Sequence, residues 1–209
     1  MMTNEGLCSV IVPAYNAEAY IQEAIESVMR QDYDRWELIV VDDGSTDKTR
    51  ERVESFSSGR IKFIQQANGG EAAARNTALE HANGEFLAFL DADDVYLPAH
   101  LKVAFDHLHA NPEHGAVYTD GYYIDSQGNY LQTLSSNRRG PFKGDIFEEV
   151  VRASDVFGPP GSVVVRSNLV RENALRFDTD LIVGTDWDFL TRVSKLTKFG
   201  YVDEKTYLY

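Results

Sequence analysis

Three acidic clusters carry the residue types and spacings that could do chemistry. In Asp91-Ala92-Asp93-Asp94, three carboxylates fall within four residues. Each like charge raises its neighbours' pKa unless a cation compensates. A hard divalent cation takes oxygen ligands, and Mg²⁺ typically uses one or two carboxylates together with substrate phosphates. An Asp-x-Asp just beyond a strand therefore suits a metal that carries a diphosphate; the competing reading is a solvated turn that caps the next helix. A calcium EF-hand loop is excluded, because Tyr96 stands where that loop needs glycine. Asp42-Asp43-Gly44-Ser45 reads either as a strand-to-helix turn, with Gly44 relaxing the backbone and Ser45 capping, or as a carboxylate that accepts a hydrogen bond from a base N–H. Pro13-Ala14-Tyr15-Asn16 is an ordinary turn or a place where Tyr15 packs a base ring. Thr185-Asp186-Trp187-Asp188 has the form of a capping box, with Thr185 as cap and Asp188 at the third helical position. Asp186 is left over, at the positive end of the helix dipole, where an ionised carboxylate is favoured. An ionised carboxylate in a cleft is what a general base requires.

The elements around these clusters place them on one rim. The β-branched run 8–12 predicts a buried strand. Apolar residues at Ala17, Ile21, Ala24, Ile25, Val28 and Met29 predict an amphipathic helix over 17–31. A second strand at 36–41 leads into a helix capped by Ser45 or Thr46, with Val53 and Phe56 facing inward. A third strand at 61–64, an Ala-rich helix over 70–82 and a fourth strand at 85–90 follow. Pro98, at a first helical position, opens a helix running to about Ala110. Apolar strands alternating with helices at this interval make a parallel sheet covered on both faces. Ligands of such sheets bind along the carboxyl edge, where the 42–45 and 91–94 clusters and the 13–16 segment fall.

The second half is more mixed. It reads as a strand at 116–124, a turn at 126–129 with a short strand near Tyr130, and a polar, basic loop over 135–143 that is expected to be mobile. A helix near 145–153, a Gly-Pro-Pro-Gly break at 158–161, a strand at 162–166 and a helix over 185–196 come next. The last residues, 201–209, read as strand to the end, which suggests a chain that continues. The expected architecture is one domain over 1–209, with a ligand-binding half at about 1–115 and a second half at about 116–209.

Composition narrows the function classes. Against 20 Lys and Arg stand 33 Asp and Glu, a net charge of −13 over 209 residues. A surface this acidic repels phosphate backbones and anionic lipid, so nucleic-acid and polybasic membrane binding are not expected. The single cysteine, Cys8, excludes an internal disulfide framework and fits a reducing compartment. Residues 1–6 lack the pattern of a signal peptide, and no apolar stretch approaches the roughly 20 residues a bilayer span needs. The expectation is a soluble, cytoplasmic protein, free or held at the inner face of the membrane by a partner or a missing segment. There is no G-x-G-x-x-G, P-loop, H-E-x-x-H or G-x-S-x-G pattern, so dinucleotide, P-loop, zincin and serine-hydrolase chemistries lack their machinery.

Five segments, in order, closely resemble the inverting family-2 nucleotide-sugar glycosyltransferases with the GT-A fold: S-V-I-V-P-A-Y-N (9–16), W-E-L-I-V-V-D-D-G-S-T-D (36–47), N-G-G-E-A-A-A-R-N (68–76), G-E-F-L-A-F-L-D-A-D-D (84–94) and G-T-D-W-D-F-L-T-R (184–192). The resemblance implies a Rossmann-like, mostly parallel sheet flanked by helices, with a donor half and a smaller mixed acceptor half. It implies that Pro13 and Tyr15 line the nucleoside pocket, that Asp43 accepts from the uracil ring, and that the stretch from Gly70 to Arg75 borders the same pocket. It implies that Asp91 contacts the ribose or diphosphate, that Asp93 holds Mg²⁺ or Mn²⁺, and that Asp186 is the catalytic base. Thr185 departs from the family pattern, in which a Glu precedes that aspartate. The expected donor is a UDP-sugar and the acceptor a saccharide or other hydroxyl. Trp187 either stacks on an acceptor sugar or packs in the core, and Arg138, Arg139 and Lys143 either close over the diphosphate or lie on a solvated loop. Two rivals are a sugar-nucleotidyltransferase, which should open with a Gly-rich phosphate loop, and a non-catalytic nucleotide-sugar-binding module of the same fold.

Overall fold

The computed structural model describes residues 4–209; residues 1–3, where the signal-peptide reading begins, lie outside the described residues. In chain order the elements are β1 (Cys8–Ala14), α1 (Ile21–Met29), β2 (Trp36–Asp42), α2 (Thr49–Glu54), β3 (Ile61–Gln65), α3 (Glu71–His81), β4 (Phe86–Phe89), β5 (Val95–Tyr96), α4 (His100–Ala110), β6 (His114–Ile124), β7 (Tyr130–Thr133), α5 (Phe147–Arg152), β8 (Val163–Arg166), α6 (Ser167–Glu172), α7 (Thr185–Ser194) and β9 (Lys198–Leu208).

The runs that read as buried strands on both faces behave that way. Successive side chains of a strand point to opposite faces, and along β1 Val10 and Val12 enter one core while Ile11 enters the other. Along β2, Leu38 and Val40 join the first, and Ile39 and Val41 the second. Helices α1 and α4 cover one face and α3 and α7 the other. The sheet runs β3-β2-β1-β4-β8-β6-β9-β5, with β7 added beside β6. Its first four strands are parallel, while β8 enters antiparallel to both β4 and β6. This is the mixed α/β, mostly parallel sheet that the family resemblance implies, and β9, from the end of the chain, threads between β6 and β5. No helix among the described residues is long and apolar enough to cross a membrane.

Several boundaries move for identifiable reasons. Helix α1 begins at Ile21, after a separate turn in which the amides of Tyr20 and Ile21 both donate to the Ala17 carbonyl. Ser45 does not cap α2: its Oγ accepts from the Asn16 amide at 2.9 Å, and the helix starts at Thr49, whose amide is taken by Asp47 Oδ1 at 2.9 Å. Pro98 lies two residues before α4 rather than inside it. The 135–143 segment is not a solvated loop throughout. The Arg138 side chain is only 4% exposed and donates to the Thr119 carbonyl at 2.7 Å while lying 4.0 Å from the fully buried Asp120. Arg139, by contrast, is exposed and pairs with Asp155 at 3.4 Å.

Candidate active site

The carboxyl ends of β1, β2 and β4 meet at one edge of the sheet, and local hydrogen bonds lock their loops together. After β1, Asn16 takes a left-handed conformation (φ 49°), and its Oδ1 accepts from the Thr46 amide at 2.9 Å. After β2, Asp42 turns its carboxylate onto the Ser45 amide and the Gln65 amide group, both at 3.0 Å. Gly44 has φ 78°, and a Cβ there would meet the Asn68 amide nitrogen at 2.9 Å, so glycine is required on both counts. Asp43 is buried and acts as a clamp. It accepts from Gln66 Nε2 at 2.7 Å and from the amides of Gly69 and Gly70 at 2.9 and 2.7 Å. Those amides precede α3, so Asp43 joins the β2 loop to the start of that helix.

A cavity of about 670 Å³ opens between these loops, lined by Pro13, Tyr15, Asp43, Gly70, Glu71, Asp91, Asp93 and Tyr209 among others. Tyr15 is 54% exposed at its mouth and does not complete the core. A second cavity of about 500 Å³ adjoins it, lined by Glu71, Arg75, Asp91, Pro159, Val183, Asp186, Trp187 and Tyr209. Pro13, Tyr15, Asp43, Gly70, Asp91 and Asp93 thus gather at the first cavity, and Asp186 and Trp187 at the second. Arg75 lines the second cavity rather than the first.

The acidic turn after β4 divides its three carboxylates among three roles. Asp91 Oδ1 pairs with Arg75 at 2.6 Å. Asp93 is exposed on the rim and makes no hydrogen bond or ion pair among the described residues. Asp94 turns inward, where the Tyr207 hydroxyl donates to its Oδ2. Burial, followed by the nearby Asp91 charge, pushes the Asp94 carboxyl up to about 8. The inward turn and the Tyr207 hydroxyl bond set the buried Asp94 apart from the exposed Asp93. No three His, Cys, Asp or Glu side chains among the described residues converge on a point that would hold a metal unaided. The donor set fits a hard divalent cation that draws the rest of its ligands from a diphosphate.

Arg75 is nearly fully buried, its side chain 2% exposed, and binds Glu71 at 2.5 Å as well as Asp91. Burial works against its charge, but Asp91 and Glu71 together hold the guanidinium firmly protonated. Glu71 is half-exposed; burial, then the charges of Asp91, Asp186 and Asp93, raise its carboxyl above the usual range against the pull of Arg75.

The turn before α7 departs from the capping-box reading. Gly184, in the left-handed conformation at φ 75°, is the cap residue, and no side chain caps the helix. Thr185 is instead a buried first helical residue, and Asp188 pairs with Arg192 one turn on, at 2.5 Å. An i,i+4 ion pair competes directly with a capping bond for the same carboxylate. Asp186 stands in the first turn with its carboxylate free of protein partners among the described residues. Trp187 Nε1 donates to the Val150 carbonyl at 2.7 Å, which pins its ring at the cavity wall while leaving it partly exposed.

Tyr207 and Tyr209 are site-edge residues that the sequence reading missed, and Glu71, inside the Gly70–Arg75 stretch, was given no role of its own. Glu71 carried a signal, since it precedes Arg75 by one helical turn. The others depend on β9 pairing with β5, a contact across more than a hundred residues.

A curled, mostly parallel sheet with paired cavities at its carboxyl rim defines an α/β protein of the GT-A class. Residues 9–167 match the profile of glycosyl transferase family 2, and the chain belongs to that family. An Escherichia coli protein described as UDP-Glc:alpha-D-GlcNAc-diphosphoundecaprenol beta-1,3-glucosyltransferase WfgD is 48% identical over 101 residues, covering 48% of this chain and 40% of that protein. The 1–349 portion of S. aureus TarS, solved in complex with UDP, superposes with a TM-score of 0.78 at 27% identity over 97% of this chain and 60% of the other. The mannosyltransferase PcManGT from Pyrobaculum calidifontis, solved with GDP-Man and Mn²⁺, shares the fold with a TM-score of 0.70 at 24% identity over 97% of this chain and 56% of the other. The chain spans less than two thirds of the length of each of these proteins.

Proposed function

We propose that the protein is a metal-dependent inverting glycosyltransferase that moves a sugar from a UDP-sugar to a hydroxyl of a saccharide acceptor in cell-surface glycan synthesis. The observation that carries this reading is the adjacency of the two cavities. One is lined by a partner-free carboxylate, Asp93, and the other by a second, Asp186, with Asp91 bordering both. The family, the UDP held by TarS and the glucosyltransferase activity named for the E. coli relative support it.

In this reading Pro13 and Tyr15 flank the base and Asp43 reads its edge, while also tethering the Gly69–Gly70 backbone at the start of α3. Asp91 faces the ribose or diphosphate. Asp93 would hold a Mg²⁺ or Mn²⁺ ion, which when bound supplies Lewis-acid stabilisation of the departing diphosphate. The second cavity receives the acceptor, with the Trp187 ring as a platform for its sugar. Asp186 takes the proton from the acceptor hydroxyl as that oxygen bonds to the anomeric carbon. The bond from that carbon to the diphosphate oxygen breaks on the opposite face, which inverts the centre. Arg75 fixes Asp91 rather than touching the donor. The bare rim repels an anionic donor, so the cation also answers the charge of the site.

Replacing Asp186 by Asn tests the assignment. UDP affinity is expected to stay at the wild-type level while sugar transfer falls at least about a hundredfold, the scale of a lost general base. Transfer at the wild-type rate would remove Asp186 from the mechanism, and wild-type protein that binds donor without transferring or hydrolysing it would favour the non-catalytic module.

A further inference from the structure

The two cavities share three wall residues, Glu71, Asp91 and Tyr209. Under the function proposed above, the transferred sugar has to lie at this wall, because its diphosphate sits on the Asp93 side and its anomeric carbon faces Asp186. Of the two shared carboxylates, Asp91 is committed: it is mostly buried and its Oδ1 is locked on Arg75. Glu71 differs. Its side chain is 54% exposed, only Oε1 is engaged by Arg75, and Oε2 has no hydrogen-bond partner among the described residues. The first turn of α3 and the 2.5 Å ion pair fix the carboxylate in place, so a free acceptor oxygen is presented at the junction without a conformational search.

We propose that Glu71 is a specificity-determining residue for the donor sugar, accepting hydrogen bonds from the hydroxyls of a neutral hexose and rejecting a sugar that carries its own carboxylate. A carboxylate that accepts from a hydroxyl makes a charge-assisted hydrogen bond, stronger than a neutral one. The rejection follows from charge: Glu71, Asp91, Asp93 and Asp186 border the same space, with Arg75 as the cation paired to two of them. A uronate placed there would face uncompensated like charge. The inference rests on the nucleotide-sugar reading and adds to it the class of sugar.

The test is calorimetric titration of wild-type protein and of Glu71→Gln with UDP, UDP-glucose, UDP-galactose, UDP-N-acetylglucosamine and UDP-glucuronate, all with Mn²⁺ present. Glutamine keeps the shape and the helix, and a circular dichroism melt checks that the variant is folded. Wild-type protein is expected to bind at least one neutral UDP-sugar more tightly than UDP-glucuronate. In the variant, affinity for UDP should change less than about twofold, affinity for the preferred neutral UDP-sugar should fall about tenfold or more, and the preference over UDP-glucuronate should collapse. An unchanged preference overturns the proposal. So does an equal loss for UDP and UDP-sugars, which would confine Glu71 to holding Arg75. Wild-type protein that binds UDP but does not separate neutral sugars from the uronate overturns this proposal alone; wild-type protein that binds none of the five overturns the nucleotide-sugar reading with it.

Discussion

Arg75 carries a full positive charge into the interior, and its neighbours explain why the fold tolerates it. Asp91 at 2.6 Å and Glu71 at 2.5 Å share the guanidinium, and the Phe177 ring lies 5.3 Å from its carbon. Breaking a buried pair by removing one partner leaves the other charge uncompensated, at a cost of about 3–5 kcal/mol. Arg75→Met should therefore lower unfolding free energy by about 3 kcal/mol in urea denaturation, discounted from the upper figure because Asp91 keeps some exposure. A loss below about 1 kcal/mol would mean that the triad contributes little. At this scale the sequence was legible in residue types. Asp91, Asp93 and Asp186 were singled out by spacing, and all three line the paired cavities. What spacing did not disclose was the division of labour: Asp94 is adjacent to Asp93, yet it turns inward because β9 brings the Tyr207 hydroxyl beneath it.

At the scale of elements, the strands were legible because their apolar runs bury both faces, while the caps were not. Ser45 and Thr185 are good capping residues in isolation, but Ser45 is drawn to the Asn16 amide and Thr185 is buried inside α7 behind Gly184. Tertiary partners outbid local propensity at both places. Two of the positive-φ glycines, Gly44 and Gly184, should respond differently to alanine. At Gly184 a Cβ would meet nothing closer than Trp187 Cε3 at 3.8 Å, so Gly184→Ala should cost only the conformational penalty of about 1–2 kcal/mol. At Gly44 the same penalty adds to a contact of 2.9 Å with the Asn68 backbone. Gly44→Ala should lose more stability than Gly184→Ala and, on the proposed function, should also weaken UDP binding, since Asn68 lines the first cavity. Equal losses in the two melts would contradict the close-approach argument. The basic loop over 135–143 differs from its solvated, mobile reading for a related reason: nothing in its local sequence announces that Arg138 packs beside the buried Asp120.

For the molecule as a whole, two buried titrating groups set opposing pH dependences. His100 is buried, and that burial lowers its pKa to about 3. The folded state then holds fewer protons than the unfolded one between about pH 3 and the usual histidine value near 6.5, so this group makes stability rise with pH across that window. Asp94 acts the other way. With its carboxyl up at about 8, the folded state holds the extra proton from the ordinary carboxylate range, near 4, to about 8, and stability falls as pH rises through that range. Below about pH 6.5 the two oppose each other, and above it Asp94 acts alone. Metal-free protein should lose stability from pH 6.5 to 8, by at most about 1.4 kcal/mol per pH unit, and Asp94→Asn should flatten that slope. A slope unchanged by the substitution would remove Asp94 as its source. The overall plan of the molecule was largely legible, since a β-α alternation with apolar strands leaves few topologies. The threading of β9 between β6 and β5 was not, because strand order between distant segments is decided by packing rather than by any local pattern.

We propose that the rim of this sheet holds a nucleoside diphosphate through a cation on Asp93. It is tested most directly by titrating the wild-type protein with UDP, with and without Mn²⁺, beside Asp93→Asn. UDP is expected to bind with Mn²⁺ present, to bind far more weakly without it, and to lose that metal-dependent gain in Asp93→Asn. UDP affinity that is indifferent to Mn²⁺, or an Asp93→Asn variant that keeps the full metal-dependent gain, would contradict the claim.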